Sequence, residues 1–326
     1  MPPATVFRRL VPAAAIAAAL FVCACASPRY VIATPRQVDR GGWPAPRVTS
    51  HVVLVSIDGL RPDALDESAP VLQRLMREGS YTLAATTILP SKTLPSHTSM
   101  LTGEAPDRHG VLWNTVVTAD RDLVEPPTIF GVARRRGYVT AAFYSKPKFQ
   151  ALQAPDALDY SQAPGGWFGG WLGEKTMTDV EHYLADARPN LLFVHVADPD
   201  RAGHRSGWMG ADYRRAVRDS DAAVGRLIAA ADRAFGDGRY TLIVTADHGG
   251  HRRDHGSDDP RDVTIPWIAW GQGVQAGRID GPVRTMDTAS TTLWLLGLEE
   301  PSAWSGAPVL TAFRPGAASS GDRRER

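Results

Sequence analysis

The sequence predicts an α/β fold: a mainly parallel central sheet with helices on both faces. Short apolar runs of strand length alternate along the chain with stretches of helical periodicity, and such alternation builds parallel sheets covered on both sides. The runs Val52-Val53-Leu54-Val55, Leu191-Leu192-Phe193-Val194 and Leu242-Ile243-Val244 are uninterrupted, which is how strands buried on both faces read. Each stops shortly before residues that bind metals: Asp58 after the first, Asp200 and His204 after the second, Asp247-His248 after the third. Ligands of open α/β sheets collect in the crevice beyond the carboxyl ends of the strands. Three distant segments should therefore deliver carboxylates and imidazoles to one edge.

After the first strand (51–57) the pattern predicts a helix at 68–79, a helix at 95–102 closed by Gly103 and a helix at 126–136 closed by Gly137. A strand at 138–144, a helix at 176–187 and a strand at 191–196 follow. Residues 210–233 carry the clearest helical signal, because Tyr213, Val217, Val224, Leu227, Ile228 and Ala231 share one face. Strands at 240–245 and 263–269 precede a last helix that Asp287 could cap and Gly297 end.

The chain has 326 residues, 43% hydrophobic and 22% charged, enough for one large core or two modest ones. A net charge of +1 supplies no broad basic surface for a nucleic-acid polymer. Arg8-Arg9, an apolar stretch from Leu10 to Val22 and small residues around Cys23 and Cys25 read as an export signal, too short for a comfortable membrane span. Val22-Cys23-Ala24-Cys25 resembles a bacterial lipobox, which implies cleavage after residue 24 and a lipid anchor on Cys25; ordinary cleavage near Ala26 is the alternative. The expected location is the periplasmic face of a membrane, or otherwise the periplasm or the medium. With no further cysteines, the mature domain has no disulfide framework. The expected organisation is a signal peptide (1–24), a Pro- and Gly-rich tether (25–50), one catalytic α/β domain (51–313) and a polar tail (314–326).

Asp58, Asp200, His204, Asp247, His248 and His255 offer six oxygen and nitrogen ligands. One zinc ion takes three or four, so six ligands and a hydroxyl suit two ions about 4 Å apart. Mixed imidazole and carboxylate ligands favour Zn2+, and Mn2+ is compatible with the same set. The hydroxyl is Thr93, expected just before a helix whose Pro95 suits the first turn, where free N–H groups and the dipole favour anions. Threonine is a poor nucleophile at neutral pH unless a metal lowers the pKa of its hydroxyl.

Ser56-Ile57-Asp58-Gly59-Leu60-Arg61-Pro62-Asp63, Lys92-Thr93-Leu94-Pro95-Ser96-His97, Thr102-Gly103 with His109-Gly110, Asp200 to His204, and Thr245-Ala246-Asp247-His248-Gly249 come in that order. Together they resemble the type I phosphodiesterases and nucleotide pyrophosphatases of the alkaline phosphatase superfamily, over nearly all of residues 51–310. The resemblance implies an alkaline phosphatase-like fold and a phosphodiesterase or nucleotide pyrophosphatase. Thr93 would be the nucleophile, forming a phosphothreonine, with Asp58, Asp247 and His248 on the metal beside it. Asp200, His204 and His255 would hold the second metal, and Asn114 would donate to a phosphoryl oxygen. The substrate would be a small phosphate ester, a nucleotide among the candidates.

Leu94 stands where nucleotide-cleaving members often carry an aromatic residue, and Ser96 where Asn is common, which leaves the substrate open. A phosphomonoesterase with the same core is the closest alternative, a sulfatase is disfavoured by Thr93, and a catalytically silent metal-binding envelope protein is the reading from another class. His251 competes with His255 for the last ligand place. His97 and His109 are read as loop-holding residues, and His195 as a satisfied core histidine. Lys92 and Leu94 are candidate substrate contacts. So are Trp167 and Trp171, on the glycine-rich stretch 164–173, where they either stack on a substrate or pack a loop onto the core.

Overall fold

The computed structural model describes residues 29–32, 48–116, 123–124, 127–153, 157–164 and 170–315. Its strands are β1 (Arg29–Ile32), β2 (Val52–Ile57), β3 (Ser80–Thr86), β4 (Thr140–Phe143), β5 (Tyr160–Pro164), β6 (Leu191–Val196), β7 (Thr241–Thr245), β8 (Thr264–Gly271) and β9 (Gly277–Arg278). The helices are α1 (Pro70–Glu78), α2 (Thr93–Thr102), α3 (Pro106–His109), α4 (Ile129–Arg135), α5 (Gly173–Asp186), α6 (Asp198–Ser206), α7 (Ala211–Phe235), α8 (Pro260–Val263) and α9 (Asp287–Leu296).

One sheet holds all the described strands in the order β1-β5-β4-β6-β2-β7-β8-β3-β9. From β5 to β7 every pairing is parallel; β8 runs antiparallel to β7 and to β3, and β1 antiparallel to β5. Every residue of β2, β6 and β7 is buried, as their unbroken apolar runs imply. Helix α7 packs on α1, α5 and α6, while α9 packs on α2 and α4, giving the sheet its two helical covers. The fold is thus the mainly parallel α/β arrangement read from the sequence.

Four local features differ from expectation, each for a physical reason. Strand β3 went unread because its alternation breaks at a register shift between Thr82 and Ala85. Helix α6 carries Asp200 and His204 but has the composition DPDRAGHRS, too polar to show an apolar stripe. Helix α2 is buried at all its positions, so periodicity cannot mark its start, and it begins at Thr93 with Lys92 as the N-cap. Asp287 is the first residue of α9 rather than its cap; its carboxylate accepts from the backbone N–H groups of Arg284 (2.8 Å) and Ala307 (2.9 Å). In addition, Arg29–Ile32 of the expected tether pairs with β5 at the sheet edge. The expected export signal, Cys25 and the end of the polar tail lie outside the described residues.

Helix α1 is capped from a distance. Its N-cap, Ala69, has no side chain able to accept, and Asp221 of α7 instead takes the N–H groups of Val71 (3.0 Å) and Leu72 (2.8 Å). Replacing this buried carboxylate leaves unpaired the N–H groups of half-buried Val71 and buried Leu72. Asp221→Ala should lower unfolding stability by about 1–3 kcal/mol, read as a lower midpoint in chemical denaturation, with the α/β circular-dichroism signature kept.

Candidate metal centre

Sheet register explains why distant residues meet. Ile57 lies opposite Val196, and Ser56 opposite both His195 and Thr245, so β2, β6 and β7 end level with one another. Asp58 follows β2 directly, Asp200 sits in the first turn of α6, and Asp247 comes two residues after β7. The Asp200 N–H donates to the Asp58 carbonyl at 3.0 Å. Such an approach needs a glycine at position 59, where φ is +73° and an added Cβ would lie 2.9 Å from the Asp200 Cα. Trp208 Nε1 (3.0 Å) and the Tyr213 hydroxyl (2.8 Å) both donate to the Gly59 carbonyl and fix that turn. Trp208 also stands edge-on to His204 and His255, over Gly203 and Gly250, whose added Cβ atoms would meet its ring at 2.5 and 2.2 Å.

Five of the six expected ligands form two overlapping sets, and Asp247 lies beside His248 of one of them. His248 Nε2 lies 3.4 Å from Asp58 Oδ1, 3.3 Å from Asp247 Oδ2 and 3.4 Å from Thr93 Oγ1. Asp200 Oδ1 lies 3.3 Å from His204 Nε2 and 3.5 Å from His255 Nε2. The three imidazoles share one tautomer, because each Nδ1 faces a backbone carbonyl: Gly249 for His248 (2.8 Å), Arg253 for His204 (3.0 Å) and Ser91 for His255 (2.8 Å). A carbonyl only accepts, so each Nδ1 carries a proton; burial lowers His248 and His255, whose neutral rings present Nε2 lone pairs, whereas the Asp200 hydrogen bond raises His204. Lone pair against carboxylate is unfavourable unless a cation lies between them.

Asp58 Oδ1, Asp200 Oδ1 and Asp247 Oδ2 are buried and have no hydrogen-bond donor among the described residues. Ligand atoms around a tetrahedral zinc with bonds of about 2.0–2.1 Å lie about 3.3–3.4 Å apart, the spacing seen here and longer than most hydrogen bonds. Asp200-His204-His255 and Asp58-Asp200-His248 each bring three ligand atoms within 4.8 Å of one another. Orphaned oxygens, lone-pair tautomers and spacing all fit divalent ions.

The charge balance points the same way. Burial, then the Asp58 charge, pushes the Asp247 carboxyl well above its usual range. Burial also raises Asp58, but Lys146 and the His195 hydrogen bond outweigh it and hold Asp58 well below. Asp200 is lowered likewise, against burial and the Asp58 charge, by Lys146 and His204. Burial, then His255, holds His248 down to about 3, so its ring is neutral. Protein cations therefore ionise two of the three carboxylates and leave the third in want of a positive charge.

Lys146 is the residue that sequence reading missed. Its Nζ lies 2.6 Å from Asp58 Oδ2, 2.5 Å from Asp200 Oδ2 and 3.5 Å from Thr93 Oγ1. Each carboxylate thus gives one oxygen to Lys146 and keeps the other for the ligand set. Lys148 Nζ donates to Asn114 Oδ1 at 3.0 Å, and that oxygen also accepts the Leu94 N–H at 3.0 Å. Burial, then Lys146, pushes the Lys148 ammonium down to about 8. The only available signal was Lys-Pro-Lys following a buried strand, and lysines after strands are ordinarily solvated.

The remaining expectations divide. His195 is buried and satisfied, yet its role is local to the site, for Nε2 donates to Asp58 Oδ2 (3.0 Å) while Nδ1 accepts the Ser145 N–H (3.3 Å). His97 bridges the Thr93 carbonyl and the Ser56 hydroxyl, each at 2.8 Å, and His109 bonds Ser99 (3.0 Å), so both hold loops. His251 turns to Asp262 (2.7 Å), away from the ligand sets. Leu94 is fully buried in the core and cannot touch a substrate with its side chain; its contribution is the N–H that orients Asn114. Lys92 lays its stem over Gly256. Trp171 donates its N–H to the Ser145 carbonyl (2.9 Å) and carries Lys175 over its ring, while Trp167 lies outside the described residues.

The family model for type I phosphodiesterase / nucleotide pyrophosphatase matches residues 52–258. GPI ethanolamine phosphate transferase 1 of Homo sapiens is 26% identical over 263 residues, covering 71% of this chain and 27% of that protein. Ectonucleotide pyrophosphatase/phosphodiesterase family member 1 of Homo sapiens is 25% identical over 228 residues, covering 63% and 24%. The chain thus spans about a quarter of the length of these curated relatives. Among solved structures, inactive murine ectonucleotide pyrophosphatase / phosphodiesterase 5 in complex with AMP superposes with a TM-score of 0.64 at 17% identity, covering 77% of this chain and 96% of that one. A 2-O GAG sulfatase superposes at 0.62 with 13% identity, covering 81% and 73%. At such identities the superpositions establish the fold.

His195 touches no proposed ion, so its replacement tests how far the supporting shell orients Asp58. His195→Ala should weaken zinc binding by about 10–100-fold, measured by competition with a chromophoric chelator. Gly59→Ala should lose at least as much affinity, because α6 must retreat from β2 to admit the methyl group; unchanged affinity in both would show that the ligand sets do not depend on this packing.

Proposed function

The chain belongs to the type I phosphodiesterase / nucleotide pyrophosphatase family, and from that premise we propose that it is a metal-dependent phosphoric ester hydrolase working through a phosphothreonine on Thr93. One observation supports this above the rest. The Thr93 hydroxyl, 1% exposed, lies 3.4 Å from His248 Nε2 and 3.5 Å from Lys146 Nζ, beside three buried carboxylates that each have an orphaned oxygen. Asp58, Asp247, His248 and Thr93 would hold one divalent ion, and Asp200, His204 and His255 the other; zinc suits the mixed donors and manganese is compatible. Such ions, when bound, neutralise developing negative charge and lower the pKa of a coordinated hydroxyl.

The chain's own groups do the positioning. Thr93 is the first residue of α2, and its N–H has no partner among the described residues. The next N–H belongs to Leu94 and is taken by Asn114 Oδ1; the one after is absent at Pro95. An incoming phosphoryl oxygen would meet the Thr93 N–H and the Asn114 amide, two donors set at the start of a helix. Thr93 Oγ1 forms a bond to phosphorus as the ester P–O bond breaks, and the departing alcohol takes up a proton. Water then cleaves the threonine–phosphate bond, restoring the hydroxyl and releasing the phosphate product. We also propose export, with Cys25 as the lipid-bearing residue; among the described residues no helix is long and apolar enough to cross a membrane.

Removing the nucleophile should separate chemistry from metal binding. Thr93→Ala should keep its metal content but lose at least about a thousandfold in turnover of p-nitrophenyl esters, and wild-type protein quenched during turnover should carry phosphate on Thr93 by mass spectrometry. Asp247→Ala should lose metal as well as turnover. Full activity in Thr93→Ala would instead indicate direct attack by water, and two bound ions without turnover of any ester would favour a silent binding protein.

A further inference from the structure

His248 and His255 belong to different ligand sets, yet their rings stack with centroids 3.6 Å apart and planes 12° from parallel. Aromatic rings left to themselves prefer offset or edge-on contacts with centroids about 4.5–7 Å apart. Two Nε2 lone pairs side by side also repel, so the pair needs a restraint. Gly249 offers its carbonyl to His248 Nδ1 (2.8 Å), and its own N–H is taken by the Asp262 carbonyl (2.8 Å). Ser91 offers its carbonyl to His255 Nδ1 (2.8 Å), and its hydroxyl donates to the Ser257 carbonyl (2.7 Å). Ser257 in turn donates its N–H (3.1 Å) and its hydroxyl (2.7 Å) to Asp262 Oδ2, while His251 Nδ1 donates to Oδ1 (2.7 Å). Both imidazoles therefore hang on Asp262. That carboxylate is fully buried and lies outside both ligand sets. A buried charge is costly, and three donors offset the cost only while the loop 247–257 stays closed around it.

We infer that Asp262 is a positioning residue that sets the spacing between the two ions, by clasping the loop 247–257 so that His248 and His255 stay stacked. The inference rests on the two-ion reading above and adds what fixes the distance. Paired catalytic ions stand about 3.5–4 Å apart, and the ring separation of 3.6 Å falls inside that interval. Parallel rings also aim their Nε2 atoms in one direction. The clasp reaches the nucleophile as well, because Ser91, bonded to Ser257, stands two residues before Thr93. Packing leaves the loop no other course, since a Cβ added at Gly249 would lie 2.0 Å from the Arg261 carbonyl oxygen. Supports of this kind orient ligands without touching the ion. An amide in place of the carboxylate has the same shape but only one accepting atom, so it must lose either Ser257 or His251.

The test uses the full chain with Mn2+ as the probe, titrated by calorimetry and read by electron paramagnetic resonance, which reports whether two ions are close enough to couple. Wild type should bind two ions and show the coupled signal. Asp262→Asn should raise the Kd of the second ion by about 10–100-fold, and at full loading the six-line signal of separate Mn2+ ions should replace the coupled one. Ser257→Ala removes one of the three donors with less risk to folding; it should shift the same signal and raise the same Kd by about 3–10-fold. If Asp262→Asn does not fold, Ser257→Ala decides the matter. Wild-type coupling and affinity in the folded variants would overturn the role of Asp262 and leave the two-ion site intact. Two uncoupled ions in wild type would overturn the spacing alone, whereas a single bound ion would overturn the two-ion reading and this inference with it.

Discussion

Three carboxylates share one buried pocket, and the architecture around them answers that constraint. Asp58, Asp200 and Asp247 are at most 4% exposed, and each keeps an oxygen with no donor among the described residues. Like charges buried together in a low dielectric repel strongly, a cost that a bound cation or a proton relieves. Lys146 supplies one positive charge to Asp58 and Asp200. Burial and the Asp58 charge still push the Asp247 carboxyl well above its usual range.

Packing around the pocket serves the same end. Strands β2, β6 and β7 end level, so a dry apolar core abuts the pocket and screens it from water on the sheet side. Gly59 lets α6 approach until the Asp200 N–H bonds the Asp58 carbonyl, and Trp208 braces the turn while standing over His204 and His255. Backbone carbonyls of Gly249, Arg253 and Ser91 set the three imidazole tautomers. Such supports hold ligand lone pairs on target without touching the ion, which is how a rigid site binds metal strongly despite the cost of burying its charges.

Next to Thr93, Leu94 and Lys148 both turn to Asn114. Leu94 turns its side chain into the core and lends only its N–H to Asn114, while Lys148 donates to the same amide oxygen. Trp171 lies under Lys175, and Tyr144 stacks on Phe149 within the core.

The amino-acid sequence by itself determined the central strands and the acids and histidines that follow them. Buried parallel strands must be apolar throughout, so β2, β6 and β7 were legible, and carboxylates and histidines just past such strands have few other reasons to recur together. The tertiary structure alone decided what lies opposite those ligands. Lys146 and His195 contact Asp58 across 88 and 137 positions of chain, and no local pattern encodes contacts of that range. Helix α6 was invisible for a related reason, since a helix whose polar residues serve a site has no apolar stripe to show. Periodicity reports which face of an element meets the core; the partner that a buried charge finds is settled only when the elements pack.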